Sequence, residues 1–173
     1  MATDLQTLPE PASDHDNTPQ DTAPRATARL LEYAPGHYVA LPPHATLEVV
    51  EQPTVVPVPG APYYAHGLMA WQGTWIPLIH LESIVRAYVS VPLPPIPRYC
   101  LVTAYQAAPG AEIQHGAIAL PRLPQFTTVT DNDACPLPTD SDVWPLLAMS
   151  CFHSGEHQIP IIDTGRLFTL YHG

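Results

Sequence analysis

Residues 64–80 read YAHGLMAWQGTWIPLIH, and this stretch decides the fold. Two apolar runs, 64–71 and 74–80, flank the dipeptide Gln72–Gly73. A polar residue followed by glycine supplies the backbone angles of a two-residue turn, though Gln-Gly is a weaker hairpin signal than Asn-Gly. Strand alternation places Met69 and Trp71 on one face. Such side chains serve either a core or an exposed binding patch, since Trp and Met are enriched at interfaces. The sequence leaves both uses open for Met69, Trp71 and Trp75.

Working outward, similar strand signals recur. Residues 37–41 (HYVAL) alternate after Gly36. Residues 98–105 (RYCLVTAY) form a strand, Pro109–Gly110 turns the chain, and 113–120 (IQHGAIAL) is the hairpin partner. Residues 125–130 (QFTTVT) are β-branched. Residues 144–152 (WPLLAMSCF) read as a strand, or as a strand after a tight turn. Ser154–Gly155 turns into a strand at 158–163 (QIPIID). Residues 28–33 are either a short helix or a first strand, and 44–51 are either helical turns or a strand. Of two four-proline stretches, 53–62 reads as an irregular connection and 91–97 as an extended connector, while 131–142 reads as a loop. Short helices are expected within 80–89 and 164–171. Short strands every ~8–12 residues indicate a barrel or sandwich. Residues 73–85 (GTWIPLIHLESIV) are echoed by 155–168 (GEHQIPIIDTGRLF): a turn glycine, a strand with a proline and two aliphatics, then an amphipathic segment. The echo predicts two related halves.

Composition narrows function. The chain has 173 residues, 23 prolines and no lysine; six arginines face sixteen carboxylates, for a net charge of −10. That balance argues against nucleic acid and anionic membrane surfaces, which need clustered cations. No run approaches the ~18–20 apolar residues of a membrane span. No signal peptide is visible. Three scattered cysteines do not make a disulfide framework, and a cytoplasmic protein is expected. Residues 1–27 are acidic, rich in proline and free of aromatics; they read as a disordered tail before a folded domain at 28–173.

No nucleophile elbow, phosphate-binding loop or dinucleotide fingerprint appears. Cys151, His153 and His157, with Asp163 beyond, resemble a fragment of a zinc site. The strand-turn-strand setting favours exposed turn histidines instead. Neither metal, cofactor nor catalysis is expected. His80, at a strand end, is read as a packing or hydrogen-bonding residue rather than a base.

Residues 56–81 resemble the CheW family of chemotaxis coupling proteins, whose pattern is V-P-x-x-P, an aliphatic G-V-I-N-L-R-G turn and a V-P-V-I-D-L strand. Residues 41–51, 98–130 and 159–168 agree in order, with Glu48 in the position of a family acidic residue. The resemblance spans residues 30–170. It implies two small SH3-like five-stranded β-barrels with minor helix. It also implies a non-catalytic adaptor that couples chemoreceptors to a CheA-type histidine kinase; some relatives serve pilus-based motility. The chain departs from the pattern at Ala70 (family asparagine), Gln72 (family arginine) and His80 (family aspartate), whereas Asp163 is kept. A glycine expected after Trp144 is replaced by Leu147 or Ala148. The family arginine is associated with coupling, and its loss removes a charge and a fork of donors. A divergent accessory member is expected. Its partner contacts are placed at Glu48, Met69, Trp71, Gln72 and Trp75. A β-barrel module repurposed outside chemosensing is the alternative.

Overall fold

The computed structural model describes residues 23–170. Eleven strands and three short helices are present among them. In chain order these are β1 (Arg25–Ala34), β2 (His37–Leu41), β3 (Thr46–Glu51), β4 (Val55–Val56), β5 (Ala65–Trp71) and β6 (Thr74–Ile79). Then follow α1 (Leu81–Val85), β7 (Tyr99–Gln106), β8 (Ile113–Leu120), β9 (Gln125–Thr130), α2 (Trp144–Leu147), β10 (Ala148–Ser154), β11 (His157–Ile162) and α3 (Thr164–Thr169). The acidic tail reading falls mostly on residues 1–22, outside the described residues. β1 begins at Arg25, three residues before the anticipated start of the folded part, because Arg25, Ala26 and Thr27 pair with β9.

The strands form two sheets. The first has the order β10-β11-β2-β1-β9, and the second β3-β7-β8-β6-β5-β4. The first barrel is therefore assembled from both ends of the chain, and the second from the middle. Five strands match expectation in the first. The second gains a sixth, β4, within a segment read as irregular. Val55 and Val56 pair with Met69 and Leu68, within the three proline-free residues between Pro53 and Pro57. Gly67 permits this approach: its φ is +128°, and a Cβ there would lie 2.2 Å from Val56 O.

The echoed segments take the same structure. Hairpin β5–β6 leads into α1, and hairpin β10–β11 into α3. The second strand of each then makes a parallel pairing, β6 with β8 and β11 with β2. The backbone N–H that follows each hairpin turns back in the same way. His80 N–H donates to Tyr64 O at 2.7 Å, and Asp163 N–H to Leu147 O at 2.9 Å. Each helix leaves its own barrel for the other: α1 packs on β1, and α3 on β7.

Period-two alternation sorts the apolar residues into separate cores. Cys100, Val102, Ala117, Ala119, Ile76, Leu78 and Met69 fill the second barrel. Ala28, Ala40, Phe152 and Ile159 fill the first. The opposite faces of the same strands, with Leu101, Ile118, Leu120, Val39, Leu41 and Ile162, join Trp144 and Phe168 in a larger core between the barrels. Strands buried on both faces explain the unbroken apolar runs of β7 and β8.

Candidate partner-binding surface

The five residues singled out from sequence divide into three environments. Met69 is fully buried. Its side chain packs inside the second barrel, so it offers no surface to a partner; this corrects its assignment as a contact residue. Trp71 is half-buried on the same face, against that interior. Its ring lies 4.8 Å from the His115 ring, and its indole N–H donates to Glu48 Oε1. Glu48, on the edge strand β3, and Trp71, on β5, are thus tied together across the mouth of the barrel. Their 23-residue separation gave no sign of the bond, and His115 was not anticipated at all.

Trp75 and Gln72 are exposed. Gln72 occupies the first turn position with φ of +44°, followed by Gly73 at +76°. Trp75 is 52% exposed and stands opposite Ala70 on the outer face of the hairpin. The register puts Val56, Leu68 and Pro77 in one row on that face, and Val56 is 46% exposed. No Asp, Glu, Lys or Arg occurs from Gln52 to Leu81. The outer face of β4–β5–β6 is thus an uncharged apolar strip around an exposed indole, on a chain that is otherwise strongly acidic. Such a strip, centred on a Trp, has the composition of an interface core.

A concave feature lies where α3 crosses β7. This groove of about 620 Å³ is lined by residues that include His44, Tyr105, Gln106, Ile113, Asp163 and Arg166. Thr164 Oγ1–H donates to Ala104 O at 2.9 Å. The Asp163 carboxylate caps α3 by accepting the Arg166 N–H at 3.1 Å. The sequence marked Asp163 as a kept family residue and as the far end of the zinc-like fragment; the groove it lines depends on tertiary docking and has no local signature. At the equivalent position before α1, His80 faces Ser83 through Nδ1 and Oγ at 2.8 Å and makes no bond to the helix backbone. The shared place of His80 and Asp163 is a helix N-cap.

The zinc-like fragment is not assembled. Cys151 is buried, whereas His153 and His157 are exposed on the β10–β11 hairpin, with the His157 ring against Tyr38 at 5.3 Å. Among the described residues, no three His, Cys, Asp or Glu side chains converge as a metal site. No helix among them is long and apolar enough to cross a membrane.

The CheW-like domain family model matches residues 30–172. Among solved structures, the scaffolding protein TtCheW from Thermoanaerobacter tengcongensis is similar, with a TM-score of 0.61 and 14% identity, over 80% of this chain and 88% of that one. A comparison with curated proteins finds no match. The low identity fits a divergent sequence on a kept fold. Since the family match takes in strands of both barrels, from the middle of β1 through α3, the chain belongs to the CheW-like family.

Proposed function

We propose that the protein is a non-catalytic cytoplasmic adaptor of a chemosensory pathway, coupling a chemoreceptor to a CheA-type histidine kinase. The observation that carries this reading is the uncharged strip of Val56, Ala70 and Trp75 on the outer face of the second barrel, in a chain of the CheW-like family. An indole in such a strip, once covered by a partner, can supply a large share of an interface's energy, while its neighbours exclude water. Glu48 and Trp71 hold the barrel mouth in shape beside it, and Gln72 forms the tip. The groove along α3 is a separate surface feature, which suits a scaffold that holds two proteins at once. Gln72 lacks the charge of the family arginine, which favours an accessory role with a particular kinase or receptor, such as one serving pilus-based motility.

Co-purification with the CheA-type kinases and receptor signalling tips of the same genome tests the proposal. Binding to at least one is expected, and Trp75→Ala weakens the affected interaction by about tenfold or more, as for an interface hot spot. A folded protein that binds none of them overturns the coupling role. The same Ala70 and Gln72 departures support a second reading, a barrel module that recognises a protein outside chemosensing. A Trp75-dependent partner with no kinase or receptor relationship favours it.

A further inference from the structure

Cys135 and Cys151 are separated by 16 residues, and their sulfurs stand 3.2 Å apart. Both are free thiols. The backbone holds the pair together. Cys135 N–H donates to Cys151 O at 3.0 Å, and the adjacent Ala134 forms an antiparallel bridge with Phe152. Gln158 Nε2–H adds a bond to Pro136 O at 3.2 Å. The cysteine-bearing stretch thus lies along the free edge of β10 through an isolated antiparallel bridge, whose register puts Cys135 opposite Cys151. Opposed residues on antiparallel strands have Cα atoms roughly 4.5–5.5 Å apart, inside the range that a disulfide spans. The sulfurs need approach by only about 1 Å to reach bonding distance, within the reach of small side-chain rotations.

We propose that Cys135 and Cys151 form a reversible oxidation site that closes to a disulfide by exchange with a small-molecule disulfide of the glutathione class. The two thiols differ in access. Cys151 is 3% exposed, whereas Cys135 is half-buried. Burial, and secondarily the bond to Cys135, pushes the Cys151 thiol up to about 12, so Cys151 is not the group that attacks a reagent from solvent. The Cys135 thiolate attacks one sulfur of the small disulfide; a mixed disulfide forms and one thiolate departs. The Cys151 sulfur then attacks the Cys135 sulfur, and its proton leaves with the second small thiol. Two protein thiols are oxidised, and one small disulfide is reduced to two thiols. The resulting bond latches the 131–143 connection to β10. That connection continues to Asp140, which accepts from Trp144 Nε1–H, and to Ser141, which donates to Val85 O. Oxidation therefore stiffens the link between the first barrel and the core shared by both.

The full chain is equilibrated with excess oxidised glutathione, quenched in acid, alkylated with N-ethylmaleimide after denaturation, and weighed. One thiol, Cys100, is expected to take the label. Digestion links residue 135 to residue 151, and no glutathione remains attached. Cys151→Ser traps glutathione on Cys135, and Cys135→Ser reacts at least tenfold more slowly than wild type. Closing a loop of this length restricts the unfolded chain, so oxidised wild type melts about 5 °C or more above the reduced form, reversed by dithiothreitol. Three labelled thiols after equilibration, or a lasting glutathione adduct on wild-type Cys135, overturns the proposal. The wild-type measurement stands whether or not either variant folds.

Discussion

His66 and His80 face each other at the base of the β5–β6 hairpin, with ring centroids 5.6 Å apart. His66 Nε2 is buried without a hydrogen-bond partner. Burial, and then the neighbouring His80, lowers the His66 pKa to about 4, and burial lowers that of His80 as well. The folded form therefore holds both rings neutral, whereas the unfolded chain takes up protons near the ordinary value of 6.5. Stability is fully present above pH 6.5 and declines as pH falls from 6.5 toward 4. Melting temperatures across that window should drop for wild type and flatten in His66→Phe, which keeps a ring and removes the titration; an unchanged slope contradicts this assignment. Asp163 gives a second residue-scale test. Its carboxylate satisfies the Arg166 N–H at the start of α3, so Asp163→Ala should cost about 1 kcal/mol in urea unfolding. The His80 side chain satisfies no such donor, and His80→Ala should cost less than Asp163→Ala in the same assay.

At the scale of elements, the hairpin that decided the fold rests on an unfavourable turn residue. Gln72 sits at φ of +44°, a region where a long side chain is disfavoured and asparagine or glycine is tolerated. Gln72→Asn should stabilise the protein by roughly 0.5–1 kcal/mol in denaturant titration. Gly67→Ala should act in the opposite direction. A Cβ there meets the backbone of Val56 and Pro57 at 2.9 Å or less, and backbone cannot rotate away as a side chain can. A loss of about 2 kcal/mol or more is expected, with weakened protection of the amide hydrogens that join β4 to β5. These two positions also show what sequence could and could not reveal. Gln72–Gly73 between apolar runs announced its turn, because a two-residue hairpin is fixed locally. β4 was hidden, because a two-residue strand among four prolines has no periodicity and exists only through Gly67 on a neighbouring strand. Trp144–Leu147 forms a helical turn before β10, in agreement with the strand-after-a-turn alternative. Residues 28–33 resolved as strand because β1 has partners on both sides, β2 and β9. Among the site residues, Trp75 and Gln72 remain surface groups. Met69 was absorbed by the barrel interior, while Glu48 stays exposed and accepts from the half-buried Trp71 indole. Alternation assigns a face, but not which face lies inside.

Across the whole molecule, the two barrels are not two domains. The first is built from strands at both ends of the chain, so no cut in sequence releases it intact. Its own fully buried interior is small, Ala28, Ala40, Phe152 and Ile159, with Leu30, Tyr38, Val129 and Ile161 half-buried around it, whereas the larger cluster lies between the barrels and draws on both sheets and all three helices. Trp144 is central to that cluster. It is 1% exposed, meets Tyr33 edge-on at 6.0 Å, and its indole N–H donates to Asp140 Oδ1 at 2.7 Å. Trp144→Ala removes a large buried ring and should cost about 3–5 kcal/mol. If the shared core joins the barrels, that loss lowers the stability of the entire protein rather than of one half. Far-ultraviolet circular dichroism reports both sheets, while fluorescence of Trp71 and Trp75 reports the second barrel alone in this variant. The two signals should move together in urea, with one midpoint shifted below that of wild type and an unchanged slope. Two separated transitions would show instead that each barrel is stabilised by its own interior, a conclusion at odds with the four-residue core of the first.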